Sequence, residues 1–302
     1  MGKVLVVGSL NYDLSVYTNK IPNIGETVIG EKFSFSCGGK GANQAYAAKK
    51  AGVYTYMIGR IGNDDYGQLL LDNLNKVSIN TTGIKISEDV GTGISMLTID
   101  QQGRNNIVVV PGANLKTTVY ENPDFFETAS VLLLQNEISS ETNKDAIDHA
   151  KKNKMTIIYN PAPYYSIDEQ IYKAIDFLTP NEHELSLLVP DKQDLEEKAM
   201  ALIDRGVKNV IVTLGAKGAL LVDENKHCIQ IPAPKVKAID TVGAGDCFNG
   251  YFAAMICQGK LPHEAIKFAI YAASMSIKKE GAQNSYPEID EVNKFIKKEQ
   301  IE

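Results

Sequence analysis

Short apolar runs recur along the chain, each followed by a polar or glycine-rich corner and then by a stretch whose apolar positions repeat with helical spacing. The runs cover residues 4–7, 56–58, 131–134, 157–159, 177–178 and 210–212, and the helical stretches cover 42–51, 66–75, 143–152, 181–188, 195–205, 246–258, 263–279 and 289–298. Continuous apolar runs alternating with amphipathic helices predict a parallel sheet buried on both faces. The fold class expected is α/β, with a doubly wound, mainly parallel sheet and helices on both faces.

Two stretches depart from this alternation. Residues 14–17 with 27–36, and 93–100 with 105–110, read as extended pairs, and Gln101-Gln102-Gly103-Arg104 forms a hairpin turn between the last two. These insertions predict a small β-sheet lid over the mouth of the main domain. The division expected is 1–13, 37–92 and 111–302 for the α/β domain, and 14–36 and 93–110 for the lid. No internal repeat or low-complexity tract interrupts it.

Composition narrows the function. Hydrophobic residues at 44% and charged residues at 23% are ordinary for a globular chain of 302 residues. Lys and Arg number 31 against 37 Asp and Glu, a net charge of −6, so no broad positive field exists to gather a phosphate backbone and nucleic acid is not an expected partner. Four cysteines without a C-x-x-C pair and four scattered histidines argue against a zinc site or a disulfide framework. The apolar run at 4–7 is too short for an export signal or a membrane span, which predicts a cytoplasmic protein without a membrane partner.

In an open parallel sheet, ligands bind beyond the carboxyl ends of the strands, where loops and helix N-termini converge. Those ends carry Asn11 and Asp13; Gln135, Asn136 and Glu137; Asn160; Asn181 with Glu184; and Thr213-Leu214-Gly215. These polar groups suit a polyhydroxylated ligand, the alternative being ordinary loop polarity. The segment Gly38-Gly39-Lys40-Gly41-Ala42-Asn43 lets backbone approach a ligand closely, with Lys40 and Asn43 as donors; a tight turn with a solvated lysine is the plainer reading.

The segment Asp240-Thr241-Val242-Gly243-Ala244-Gly245-Asp246 is more informative. Gly243, Ala244 and Gly245 opening a helix present backbone N–H groups to an anion such as a migrating phosphoryl group. Asp246 stands either as an N-cap or as the base that positions an attacking hydroxyl. No G-x-x-x-x-G-K-[ST] occurs, so the glycines do not form a P-loop.

Together the two glycine segments resemble the paired signatures of the ribokinase family of carbohydrate kinases, also called the phosphofructokinase-B family. The first runs from Gly38 through Gln44-Ala45, with Gly52 and Gly62 following; the second is Asp240 to Asp246. The likeness extends over nearly the whole chain. It includes Gly8-Ser9-Leu10-Asn11-Tyr12-Asp13, Asn160-Pro161-Ala162-Pro163, Thr179-Pro180-Asn181-Glu182-His183-Glu184, Thr213-Leu214-Gly215-Ala216-Lys217-Gly218 and Gly281-Ala282-Gln283-Asn284-Ser285.

The resemblance implies a ribokinase-like fold and transfer of the γ-phosphate of ATP to the primary 5-hydroxyl of a pentose, D-ribose in the first instance. Acceptors such as 2-deoxyribose, a nucleoside or another small sugar are the alternative, and a catalytically silent sugar-binding protein is the reading from another class. Asn11, Asp13, Gly39, Lys40, Asn43 and Glu137 would hold the sugar, and Asp246 would be the base. Asn181 and Glu184 would lie near the phosphates and the water shell of Mg²⁺; Thr213, Gly215, Gly218 and Gly245 would follow the nucleotide. A monovalent cation, commonly K⁺, would take the Asp240 carboxylate, carbonyls of Val242, Ser276, Lys279 and Gly281, and the Ser285 hydroxyl. The lid is also where dimers of this family interlock: Ile94, Met96, Val108 and Val110 would be covered in a homodimer, or would close over the sugar in a monomer. Ile270 stands where some members carry a polar residue beside the adenine, and Tyr251 replaces a small residue.

Overall fold

The computed structural model describes residues 2–299. The chain begins with β1 (Lys3–Val7), then β2 (Asn11–Thr18), β3 (Gly30–Gly38), α1 (Lys40–Lys50), β4 (Tyr54–Gly62), α2 (Asp65–Lys76) and β5 (Asn80–Ser87). There follow β6 (Gly93–Asp100), β7 (Asn105–Val110), α3 (Pro123–Thr128), β8 (Val131–Leu134), α4 (Ser140–Lys152), β9 (Thr156–Tyr159), α5 (Glu169–Tyr172) and β10 (Phe177–Leu178). The last third supplies α6 (Glu182–Leu188), α7 (Leu195–Asp204), β11 (Asn209–Thr213), β12 (Ala219–Val222), β13 (Cys228–Ile231), α8 (Ala244–Cys257), α9 (Pro262–Ser276) and α10 (Ile289–Glu299).

Nine strands make one sheet in the order β13-β12-β11-β10-β9-β8-β1-β4-β5, parallel except for β12 and β13 at one edge. Because side chains alternate along a strand, β1 sends Val4 and Val6 into one core and Leu5 and Val7 into another. The first core is covered by α1, α2, α8, α9 and α10, the second by α3 to α7. The doubly wound α/β class read from the apolar runs is the observed one.

The separate small sheet has the order β3-β2-β6-β7. Its β6 and β7 have the expected bounds, and the turn between them is closed by the Asp100 N–H on the Arg104 carbonyl at 2.9 Å. Pairing of β2 with β3 continues to Asn11 opposite Gly38, so the small sheet reaches beyond residues 14–36. Asn11 and Asp13 therefore sit on a lid strand at its junction with the main sheet.

The edge strands β5 and β13, and β12 next to β13, are not among the apolar runs read from sequence. β5 (NTTGIKIS) mixes polar and apolar residues as an outer strand does, and β12–β13 is a hairpin. The first turn of α8 begins at Ala244, ahead of the expected start, because Gly243 adopts φ +72 and turns the chain into the helix.

Helix α1 packs on α8, and Gly250 is the contact point. A Cβ there would lie 2.4 Å from the Gln44 carbonyl oxygen and 2.5 Å from the Ala47 Cβ, so only a residue without a side chain admits this approach. Gly250→Ala is expected to destabilise the protein by about 1–3 kcal/mol through overpacking. Thermal or urea unfolding checks it, and a wild-type midpoint would mean that the two helices have slack between them.

Candidate active site

The first glycine turn is pressed against the end of β1. Gly39, before α1, has φ +85, and a Cβ on it would lie 2.6 Å from the Asn11 backbone nitrogen. Glu137 answers the helix start: its Oε2 accepts the Lys40 N–H at 2.9 Å and the Ser9 hydroxyl at 2.5 Å, while Ser9 Oγ accepts the Gly41 N–H at 3.2 Å. Asn11 is held by Asn114, whose Nδ2 donates to Asn11 Oδ1 at 2.7 Å and which also brackets Leu10 through both backbone groups. Asp13 lies over Gly38, where a Cβ would come within 2.1 Å of its Oδ2.

Asp246 lies in the first turn of α8 but does not cap it. Its Oδ2 accepts from Asn43 Nδ2 at 3.0 Å and its Oδ1 from Gln44 Nε2 at 2.9 Å, both donors on α1. The two glycine turns thus meet across one crevice. The N–H groups of Gly245 and Asp246 lie beyond reach of carbonyls within their own helix, and a Cβ on Gly245 would meet nothing within 4 Å. Gly243 is pinned from behind by the Tyr286 hydroxyl, which donates to its carbonyl at 2.9 Å.

Two buried chains of amide side chains converge on that carboxylate. One runs from Asn73 Nδ2 to Gln283 Oε1, from Gln283 Nε2 to Asn43 Oδ1, and so to Asp246. The other runs from Gln135 Nε2 to Gln44 Oε1 at 2.7 Å; Gln44 Nε2 then donates to both Asp246 and Asn160 Oδ1. Of the polar strand ends, Gln135 and Asn160 are therefore scaffold, and Asn136 is engaged by the Tyr159 hydroxyl and the Pro163 carbonyl. Sequence reading assigned no role to Ser9, Gln44, Asn114 and Gln283; Ser9, Gln44 and Gln283 carried a signal, standing inside segments already singled out, and Asn114 carried none.

Charge in the crevice is arranged around one cation. Burial disfavours the Lys40 ammonium, but the carboxylates of Asp246, Glu137, Glu184 and Asp13 outweigh it and hold its pKa above the ordinary lysine value. Burial also raises Glu184, which Lys40 partly offsets. Asp13 is pushed up to about 6, first by burial and then by Glu137 and Asp246, against the opposing Ser95 hydrogen bond and Lys40 charge.

On the other side of Asp246, Asn181 caps α6 in a capping box with Glu184: Asn181 Oδ1 accepts the Glu184 N–H at 2.8 Å and Glu184 Oε2 the Asn181 N–H at 2.9 Å. Asn181 pairs with Thr213 as an isolated parallel bridge, and Gly215 and Gly218 turn the chain back with φ +56 and +96. Asp240 ties two loops together, its Oδ1 accepting the Val242 N–H at 3.0 Å and its Oδ2 the Gly281 N–H at 2.8 Å. Ser276 accepts the Lys279 N–H through its carbonyl, and Ser285 Oγ donates to the Ala282 carbonyl. Tyr251 is fully buried and donates to the Pro287 carbonyl at 2.6 Å, while Ile270 is buried in the core.

A cavity of about 1200 Å³ opens beside Asn11 and Glu137 and runs under Val109 and Pro111 of the lid region toward Tyr165; Asp246 is not among its lining residues. Hydrogen bonds, rather than this volume, therefore define where the Asp246 carboxylate lies. Among the described residues no group of three or more His, Cys, Asp or Glu gathers as a metal cage, and no helix is long and apolar enough to cross a membrane.

The model of the pfkB family carbohydrate kinases matches residues 1–289. A ribokinase of Lactococcus lactis is 38% identical over 310 residues, covering 100% of this chain and 99% of its own. A deoxyribokinase of Salmonella typhi is 34% identical over 305 residues, covering 97% and 98%. Among solved structures, a Thermotoga maritima ribokinase superposes with TM-score 0.92 at 39% identity over 98% of this chain and all of its own. The Arabidopsis thaliana ribokinase complexed with ribose and ATP gives 0.93 at 32% identity over 98% and 99%.

Because the Asp13 carboxyl is raised in the folded chain above its unfolded value near 4, its contribution to stability is present at about pH 4 and lost as pH rises through about 6. Asp13→Asn cannot ionise. Its stability is expected to gain on the parent's between about pH 4 and 7, by on the order of 3 kcal/mol, and to hold that gain above, read as a difference in melting temperature that widens and then stays constant. Parallel melting curves at every pH would contradict the raised carboxyl.

Proposed function

The chain belongs to the pfkB family of carbohydrate kinases, and from that premise we propose that it transfers the γ-phosphoryl group of ATP to the 5-hydroxyl of D-ribose, giving ribose 5-phosphate and ADP. The observation that carries this reading is the Asn43–Asp246 hydrogen bond, which joins a sugar-type turn to the open first turn of α8. The names carried by similar proteins, ribokinases foremost and the ribose- and ATP-bound Arabidopsis structure among them, support ribose as acceptor.

In this reading Asn11, Asp13, Gly39, Lys40, Asn43 and the unengaged Oε1 of Glu137 hold the sugar hydroxyls. Each oxygen of Asp246 already accepts one amide N–H, leaving a lone pair to take the hydroxyl proton. As the sugar oxygen forms its bond to phosphorus, the bond to ADP breaks and the proton passes to Asp246. The Gly243-Ala244-Gly245 turn, with the first-turn N–H groups and the Lys40 charge, stabilises the transferring oxygens. Asn181, Glu184, Thr213, Gly215, Gly218 and Gly245 line the nucleotide side.

The donors present fit the two metal ions the family reading implies. Glu184 spends only Oε2 in its capping box, so Oε1 can meet a water of Mg²⁺, an ion that keeps several waters and needs no protein cage. Around Asp240, the carbonyls of Val242, Ser276, Lys279 and Gly281 with the Ser285 hydroxyl, whose proton goes to Ala282, make an all-oxygen set suited to K⁺. When bound, Mg²⁺ supplies charge neutralisation on the phosphates, and K⁺ braces the Asp240–Gly245 loop.

The exposed apolar lid residues Met96, Val108 and Val110, with half-buried Ile94 on β6, support a homodimer through the lid. A cytoplasmic location, where ATP is available, belongs to the same reading. The cavity beyond Asn11 and Glu137 has room for more than a pentose, which keeps 2-deoxyribose, a nucleoside or another small sugar as the second reading.

An assay of ADP release with ribose, 2-deoxyribose, fructose and nucleosides tests the reading; turnover with none of them would refute it. Asp246→Asn is expected to bind ribose and ATP as the parent does while kcat falls by about 10²–10⁴. Replacing K⁺ with tetramethylammonium is expected to lower kcat, and an unchanged rate would remove the monovalent cation from the scheme.

A further inference from the structure

Gln44 does not line the sugar cavity and is fully buried, yet its amide is committed at every position the carboxylate of Asp246 requires. A carboxylate can only accept, so Gln44 must turn its Nε2 toward Asp246 and Asn160. Its Oε1 then faces Gln135, which is obliged to present Nε2 at 2.7 Å. The cost of this polarity appears at the far end: Gln135 Oε1 is buried without a partner, against Gly8, where a Cβ would lie 2.1 Å away. Turning the Gln135 amide round would set oxygen against oxygen at Gln44.

This arrangement opposes a competing one. The groups facing Asp246 are Lys40 on α1, Asp13 on β2, Glu184 on α6, Cys247 on α8 and Tyr286 after Ser285, and of these only Lys40 is a cation. Asp246 is also the largest favourable influence on that ammonium. A carboxylate free to rotate would turn its lone pairs away from a hydroxyl. Asn43 holds one oxygen, but a single donor leaves rotation about that bond open; Gln44 holds the other.

We propose that Gln44, oriented by Gln135, is a positioning residue that fixes the rotation of the Asp246 carboxylate, so that a lone pair is aimed at the acceptor hydroxyl. The inference rests on Asp246 being the base. It separates from the sugar-holding role of Asn43, because apart from Asp246 the Gln44 amide bonds only to Gln135 and Asn160, and it does not line the cavity.

Gln44→Met removes the donor and keeps the length and bulk of the side chain. It is expected to lower kcat about 10- to 100-fold with the ribose and ATP KM values within about threefold of the parent's. Gln135→Met, which frees Gln44 to rotate without touching Asp246, is expected to show the same kind of loss, smaller, and to add nothing in the double variant with Gln44→Met. In an Asp246→Asn background Gln44→Met is expected to change little, since its partner no longer acts as a base. A parent-like kcat in folded Gln44→Met, a loss expressed in KM, or a full multiplicative loss on top of Asp246→Asn would each overturn the proposal. Absence of turnover in the parent would instead refute the kinase reading itself. Melting curves of each variant separate kinetic loss from unfolded protein; if Gln44→Met does not fold, Gln135→Met carries the test, and a parent-like kcat there would count against it.

Discussion

The close approach of α1 and α8 governs the site. Gly250 lets the backbone of Gln44 and the side chain of Ala47 come against α8 at distances no Cβ would tolerate. That contact brings a side-chain amide from each of two successive residues, Asn43 and Gln44, to the same carboxylate. Successive residues on a helix point about 100° apart, so both can reach one group only if it lies close to the helix surface between them. Loosening the helices would separate two glycine turns whose joined residues, Asn43 and Asp246, are 203 positions apart in the chain.

Charge follows the same geometry. Four carboxylates share the crevice with Lys40, and the lysine remains a cation because their combined attraction exceeds the cost of its burial. The surplus of negative charge is carried unequally: Asp13 and Glu184 are both raised, burial being the largest cause in each. An acidic site of this kind suits a polyanionic ligand only where backbone N–H groups or added cations meet it, and in the proposed reading the open start of α8 and the Asp240 loop take that part.

The lid grows out of the same junction. β2 follows β1 after three residues, so Asn11 and Asp13 are at once strand residues of the lid and neighbours of the first glycine turn. Gly38 and Gly93 flank them on β3 and β6, each without a side chain where the polar heads of Asp13 and Asn11 need room. Movement of this sheet would therefore carry Asn11 and Asp13 with it.

The sequence by itself determined the fold class, because apolar runs buried on both faces and helices with one apolar stripe leave few ways to pack. It also marked the segments that bear the chemistry, since a glycine cluster followed by Asp246 or by Asn43 is a local pattern. It was less able to mark β5 and β13, whose edge positions relax the demand for apolar residues, or the extent of β2 and β3, set by pairing across the lid; β12, a short buried apolar strand inside the hairpin, was passed over despite its pattern. Tertiary structure alone decided that Asp246 faces α1 instead of capping its own helix, that Gln135 and Asn160 serve the scaffold, and that Glu137 braces the start of α1. A hydrogen bond between residues distant in the chain depends on where two elements come to rest against each other, and no periodicity along either one records that distance.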